Sequence, residues 1–503
     1  MREREGQGVQ LPGSVASRNR ACRDSICTPL DARLARAIGL TLLLLVWGCG
    51  SETEESELQR EEQAQLEVLG YINAVPVERR FEGRAGVTLY DRERSQPGFN
   101  FFNARNESFA RLMDMQGAEI HRWASDAKGR SYLQFERQLP GRMPPWLGGW
   151  NFVELLDDGG ILAIGSHHLL LRLDRDSRVR WKLDIAAHHD LSVAPDGRIH
   201  VLVDVLRTAR ANGSLVAFQD NHILVVSAEG RIERSLSIFD ALVAGDTRDR
   251  VGRSLGRVIA NREARASGYR EASLAGDPED RKLERLYREA IEGNFDVGSG
   301  IKNVLFHNHV EDIFHTNSVQ VVERDEPGLW RRGDLLVSIL KFDMVAVLDQ
   351  ESGRVLWTWG TGALRRAHHA TQLPDGGILI FDNGVGLDRS RIVKLDPRSE
   401  RITWQFESDP PSAFYSASRG GAEMLPNGNV LIADTTSGRA FEVTRGGVVV
   451  WEYFSDPLKS GRLREGGTEP KRAAIYRMAR FSSSEARRRL GDIIPLDADR
   501  AGR

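Results

Sequence analysis

Short apolar runs separated by polar turns recur along the chain from Gly86 onward. The clearest copy extends from His368 to Trp404. It opens His-His-Ala-Thr-Gln, turns at Pro374-Asp375-Gly376 and continues as Ile378 to Phe381. After a polar loop it adds Arg391 to Asp396 and Arg401 to Trp404. Runs of this size, rich in β-branched residues and broken by Asp-Gly, predict four antiparallel strands joined by tight turns. Further copies start at Phe152, His188, His315 and Gly420, and three of them close at Trp181, Trp357 and Trp451. A partial unit precedes them, from Gly98 through Phe109–Met113 to Ala118–Trp123.

Five full units and one partial one, at a spacing of about 40 to 50 residues, predict an all-β fold, a six-bladed β-propeller. An open ring would leave an unpaired strand edge, so the segment from Ala473 to Phe481 is expected to complete the first blade. The stretch from Ala241 to Gly293 breaks the pattern. It is rich in Arg, Glu and Ala, and its second half has a proline-led acidic turn, helical apolar spacing and a terminal glycine. A helical insertion is expected at about 241–300.

The N-terminal region changes the picture. An apolar run from Leu40 to Trp47 follows Arg33 and Arg36 and ends Gly48-Cys49. It has the size of a signal-peptide core and is short for a membrane span. A small residue before a cysteine at that point resembles a bacterial lipobox, with Cys49 the lipidated residue. The expected organisation is a signal peptide at 1–48, a lipidated N-terminus and polar tether at 49–84, the propeller at 85–480 and a tail at 481–503. The product would be exported, periplasmic or anchored in a membrane through the Cys49 lipid. The other cysteines, Cys22 and Cys27, fall in the segment removed, which leaves no disulfide framework. The formal net charge of −2 argues against nucleic acid as a partner.

In a propeller the inner strand of each blade lines a central channel, so the starts of these strands converge. Here they read His188-His189-Asp190, His315-Thr316-Asn317, His368-His369 and Arg419-Gly420-Gly421. Polar groups at such positions can simply satisfy buried backbone, yet histidines recurring in three blades point to a shared pocket. Because strand side chains alternate, one ring of each pair should face the channel, and His189 and His369 are the expected ones. Three histidines on three strands could bind zinc, but no metal-binding motif accompanies them, and neither metal nor cofactor is expected. The Asp382 to Asp388 loop lacks the terminal acid of a calcium loop.

The segments HHATQLPDGGILIFDNG (368–384), FHTNSV (314–319) and GGAEMLPNGNVLIADTTSGRAFEV (420–443) resemble bacterial arylsulfotransferases. The resemblance covers roughly Ser95 to Tyr453. It implies a periplasmic six-bladed propeller that moves a sulfuryl group from an aryl sulfate to a phenol through a sulfohistidine. It implies catalytic roles for His315, His369 and Arg419 and substrate binding by Asn317 and Asn383, to which strand alternation adds His189 and position near the expected site adds Tyr415. The family's sulfated histidine is expected after the Phe-Asp-Asn-Gly segment, and this chain has no histidine after His369. Either another histidine takes the sulfuryl group, or the protein is a non-catalytic envelope propeller that binds a ligand or a protein.

Overall fold

The structure, a computed structural model, describes residues 74–104, 107–130, 132–133, 149–272, 311–457 and 471–495. The signal segment at 1–48, Cys49 and the helix expected at 275–293 lie outside the described residues. Six antiparallel sheets form the six blades of a propeller. The inner strands of blades two to six are Trp150–Leu155, Ala187–Val193, Thr316–Val321, His369–Gln372 and Gly421–Met424.

Closure uses both chain ends. Ile475–Phe481 is the inner strand of blade one and pairs with Phe99–Ala104, as the sequence predicts. Gly86–Tyr90 adds a fifth, outermost strand to blade six, beside Val449–Phe454. Arg480 pins the junction. Its guanidinium pairs with Glu442, both side chains fully buried. It also donates to Asn100 Oδ1 (2.8 Å) and lies 4.8 Å from the Trp451 ring centroid.

Two series of side chains fasten neighbouring blades. On the outside, tryptophan indoles donate to backbone carbonyls of the next blade: Trp123 to Gly159, Trp181 to Ala228, Trp404 to Arg445 and Trp451 to Met115, at 2.9–3.0 Å. Trp357 closes blade four without such a bond, its buried indole N–H having no acceptor among the described residues. On the inside, residues of one inner strand accept backbone N–H groups of the next. Asp190 takes Val319, Ser318 takes Ala370, and His369 Nδ1 takes Ala422. A layer further along, Ser192 takes Val321, Gln320 takes Gln372, and Glu423 takes Arg480.

Blade three departs from the expected strand lengths. Its middle strands, Ile199–Ala211 and Ser214–Val226, run 13 residues each and turn at Asn212-Gly213. Both turn residues hold positive φ (49° and 80°), the conformation of a tight hairpin turn. The insertion follows this blade as α1 (Ile238–Ala244) and α2 (Arg248–Ala272). Ser237 caps α1 by accepting from Asp240 N. Phe239, Leu242, Val251 and Leu255 are buried in a core shared by blades three and four, together with Phe314 and Phe342. In the C-terminal region, α3 (Ser483–Leu490) starts with a capping box at Ser482 and Glu485. It seats Ala486 and Leu490 between blades one and two.

Candidate active site

The inner strands begin at one end of the channel, and the residues entering them include His189, His315, Arg366 and Arg419 at φ between 52° and 61°. Non-glycine residues hold this left-handed conformation only where surrounding contacts impose it, and such positions concentrate at functional sites.

His315 is the most tightly specified. Gln219 N donates to Glu311 O at 2.9 Å, which ties the segment before it to the long hairpin of blade three. Phe314 packs against Phe239 and Phe342. Asp312 Oδ1 accepts the backbone N–H of His315 (2.7 Å), and its Oδ2 lies 2.7 Å from His315 Nδ1. Burial alone would raise the Asp312 carboxyl. The charge and hydrogen bond of His315, with the Lys341 ammonium nearby, bring it down instead, to about 2. An ionised carboxylate only accepts, so in the neutral ring Nδ1 carries the proton and Nε2 the lone pair. His315 is 1% exposed, and its Nε2 has no hydrogen-bond partner among the described residues.

A second arrangement lies beside it. The His189 ring stands edge-on to His315, with centroids 4.7 Å apart. His189 Nδ1 is 2.7 Å from His188 Nδ1, and His188 Nε2 is 3.1 Å from Asp204 Oδ1. Asp204 also receives His167 Nδ1 (2.7 Å) and Asn221 Nδ2 (3.0 Å). Asn221 in turn accepts Thr316 N, which joins this network to the strand after His315. Burial disfavours charge on both rings, but Asp204 outweighs it at His188, whose pKa is raised. His189 has no such partner among the described residues. Burial, then His315, His188, His167 and His368, drive its pKa well below the usual value.

His368 completes the group. Its Nδ1 faces Asn383 Oδ1 (2.8 Å) and Arg366 O (3.1 Å), both acceptors, so this ring also keeps its proton on Nδ1. Burial, then His315 and Arg419, lower its pKa to about 3. Asn383 reaches the Ser416 and Arg419 carbonyls (2.7 and 2.6 Å), and so fixes the loop that carries Arg419. Asn317, with its amide nitrogen turned toward Ser338, donates to the His368 carbonyl at 3.1 Å.

His189, His315, Arg419 and the two asparagines are thus brought to one end of the channel. His369, expected there by strand alternation, is not. It sits one layer deeper, where its Nδ1 accepts Ala422 N and its pKa is held well below the usual value by burial and then Arg477. The ring meeting the cluster is His368. Tyr415 is half-buried, and its carbonyl accepts Thr436 Oγ1 at 2.8 Å. Its neighbour Phe414 is packed among Phe381, Phe406 and Phe441. His167, Asp204, Asn221 and Asp312 escaped the sequence reading. The Asp312-Ile-Phe-His315 spacing was the available signal; His167 and Asp204 lie outside the inner strands and gave none.

A different space occupies the lower channel. A cavity of about 320 Å³ is lined by Glu154, Gln320, His369, Glu423, Arg477 and Phe481, among others. Arg477 crosses from blade one to Asp190 of blade three (2.6 Å), its guanidinium 5.0 Å from the Phe152 ring centroid. Gly421 makes room for it, since a Cβ there would lie 2.9 Å from Arg477 Cγ.

No curated protein sequence matches this chain. Solved structures of similar shape include a protein of unknown function from Bacteroides caccae (12% identity, TM-score 0.42, covering 76% of this chain and 98% of that one). A streptogramin B lyase gives 9% identity and TM-score 0.36, covering 76% and 86% of the two chains. The Neurospora crassa Pan2 WD40 domain gives 8% and 0.33, covering 74% and 80%. Two arylsulfotransferase (ASST) sequence profiles match, one over residues 90–367 and the other over 289–456. Between them they cover residues 90–456, the histidine cluster included, and the chain belongs to the arylsulfotransferase family.

Proposed function

We propose that this protein transfers a sulfuryl group from an aryl sulfate to a phenolic acceptor, with His315 as the residue that carries it. The observation behind this reading is the Asp312–His315 pair, buried at the channel end with Nδ1 protonated and Nε2 unpartnered among the described residues. A neutral imidazole nitrogen is a nucleophile at neutral pH, and the adjacent carboxylate stabilises the positive ring formed when Nε2 bonds to sulfur. Arg419, whose charge acts on His368, would supply positive charge for the sulfuryl oxygens, where fixed charge in a dry site acts strongly. His189, edge-on to His315, is placed to exchange a proton with the phenolic oxygen.

His368 supports a second assignment of the same chemistry, because its Nδ1 is also held by acceptors and its Nε2 is left as the nucleophilic nitrogen. The Asp312 carboxylate favours His315, since an amide oxygen offsets less of the charge created at the ring. The test is purified mature protein with 4-nitrophenyl sulfate and phenol. Nitrophenol release, with one sulfuryl group on the peptide containing His315, is the expected result. Sulfation on the His368 peptide would move the nucleophile to blade five. No release with a panel of phenols, and no modified histidine, would refute transfer and leave a non-catalytic binding propeller. Export and anchoring through Cys49 belong to the same proposal and rest on the lipobox-like sequence. Metabolic labelling with a fatty acid, lost in Cys49→Ser, tests them.

A further inference from the structure

The geometry points to a proton store for sulfuryl transfer, held on His188 against Asp204 and reached through His189. This rests on the reading above, with His315 as the sulfuryl carrier.

Asp204, ionised and acceptor-only, accepts from His167 Nδ1 and Asn221 Nδ2 and faces His188 Nε2 across a 3.1 Å ion-pair contact. The carboxylate charge at that distance keeps hydrogen on His188 Nε2 in both states of the pair. The contact between the two Nδ1 atoms, 2.7 Å, holds one hydrogen. When both rings are neutral, His188 Nδ1 must accept, His189 Nδ1 must donate, and His189 Nε2 presents a lone pair. Adding one proton reverses the chain: His188 Nδ1 donates, His189 Nδ1 accepts, and His189 Nε2 becomes an N–H donor. The charge then rests on His188 beside the carboxylate, away from the ring that carries sulfur. The opposite pKa directions of the two rings, up for His188 and down for His189, agree with that placement.

The two half-reactions use the two states. In the first, His315 Nε2 bonds to sulfur and the sulfur–oxygen bond to the donor phenol breaks. The leaving phenolate takes the His189 Nε2 proton, and His189 Nδ1 takes the His188 Nδ1 proton. In the second, the acceptor phenol oxygen attacks sulfur, the sulfur–nitrogen bond breaks and its electron pair returns to His315. The phenol proton passes to His189 Nε2, and the Nδ1 proton of His189 passes to His188. One proton leaves the store and one returns, with no other reagent consumed. His189 is the catalytic acid and base; His188 and Asp204 are positioning residues that act through it.

The experiment compares donor sulfates by single-turnover formation of sulfated enzyme. Phenol ionises near about 10, like tyrosine, and its departure needs a proton, whereas the more acidic nitrophenol leaves unaided. Wild type should sulfate itself from phenyl sulfate and 4-nitrophenyl sulfate at similar rates. Asp204→Asn and His188→Gln should lose roughly 100-fold or more with phenyl sulfate, within the range of general acid catalysis, and little with 4-nitrophenyl sulfate. Equal losses for both donors, or no loss, would overturn the store while leaving transfer intact. A steep dependence on the leaving group in wild type would overturn it without any variant. Wild type that is never sulfated would refute the transfer reading itself.

Discussion

Replacing Asp312 with asparagine separates chemistry from folding at His315. The asparagine oxygen can keep the two backbone bonds that Oδ1 now accepts, from Phe314 N (3.2 Å) and His315 N (2.7 Å). Its amide nitrogen then faces His315 Nδ1, 2.7 Å away, where the carboxylate oxygen was. A donor facing a donor is untenable, so the ring must shift its proton to Nε2, the nitrogen that has to attack sulfur. A hydrogen bond to a charged group contributes about 1.5–3 kcal/mol. Forcing the wrong tautomer, and removing the charge that steadies the sulfated ring, raise the total to about 3–5 kcal/mol, or roughly 10²–10⁴ in rate. The same exchange in serine-protease triads costs about 10⁴ by this tautomer effect. Rapid-mixing measurement of the nitrophenol burst, with mass analysis of the His315 peptide, gives the rate directly. The melting temperature should stay close to wild type because the backbone contacts survive. If Asp312→Asn keeps its burst rate within about threefold of wild type, then His315 is not the carrier or its tautomer does not matter.

Arg480→Ala should cost about 3–5 kcal/mol by leaving Glu442 charged and buried at the ring closure, read as a lowered midpoint in urea unfolding. Gly420→Ala should destabilise by about 2–4 kcal/mol, because the new Cβ would lie 2.4 Å from Phe381 Cζ at a backbone φ of +110°; differential scanning calorimetry checks it. Burial, opposed by Arg480, raises Glu423 to about 7 from its usual 4.5. Ionising it in the folded protein is therefore unfavourable, so its burial costs nothing below about pH 4 and up to about 3 kcal/mol above pH 7. Glu423→Gln should accordingly raise the melting temperature at pH 8 and leave it unchanged at pH 4, and a gain of equal size at both would show that charge is not the cause.

The architecture was legible because each unit repeats the same local physics: apolar runs, an Asp-Gly or Asn-Gly turn, and a closing tryptophan. The 13-residue strands of blade three were harder to read. Their outer halves, Arg207 to Arg210 for example, are partly exposed and polar, and nothing in the pattern of the other blades calls for them. The histidine pairs show where reading by alternation stops. Period two holds only within a regular strand. At His188-His189 the strand is bulged between Ala187 and Leu191, and His189 takes left-handed backbone, so both rings of the pair enter the polar network. In blade five the left-handed residue falls earlier, at Arg366, and regular pairing begins at His369 opposite Phe381. His369 therefore shares a layer with Asp190 and Ser318 and does their work, accepting an N–H from the next blade. His368, still outside the strand, is free to turn toward Asn383 and the cluster. One residue's difference in where the strand becomes regular thus decides which histidine fastens the ring and which stands with the nucleophile.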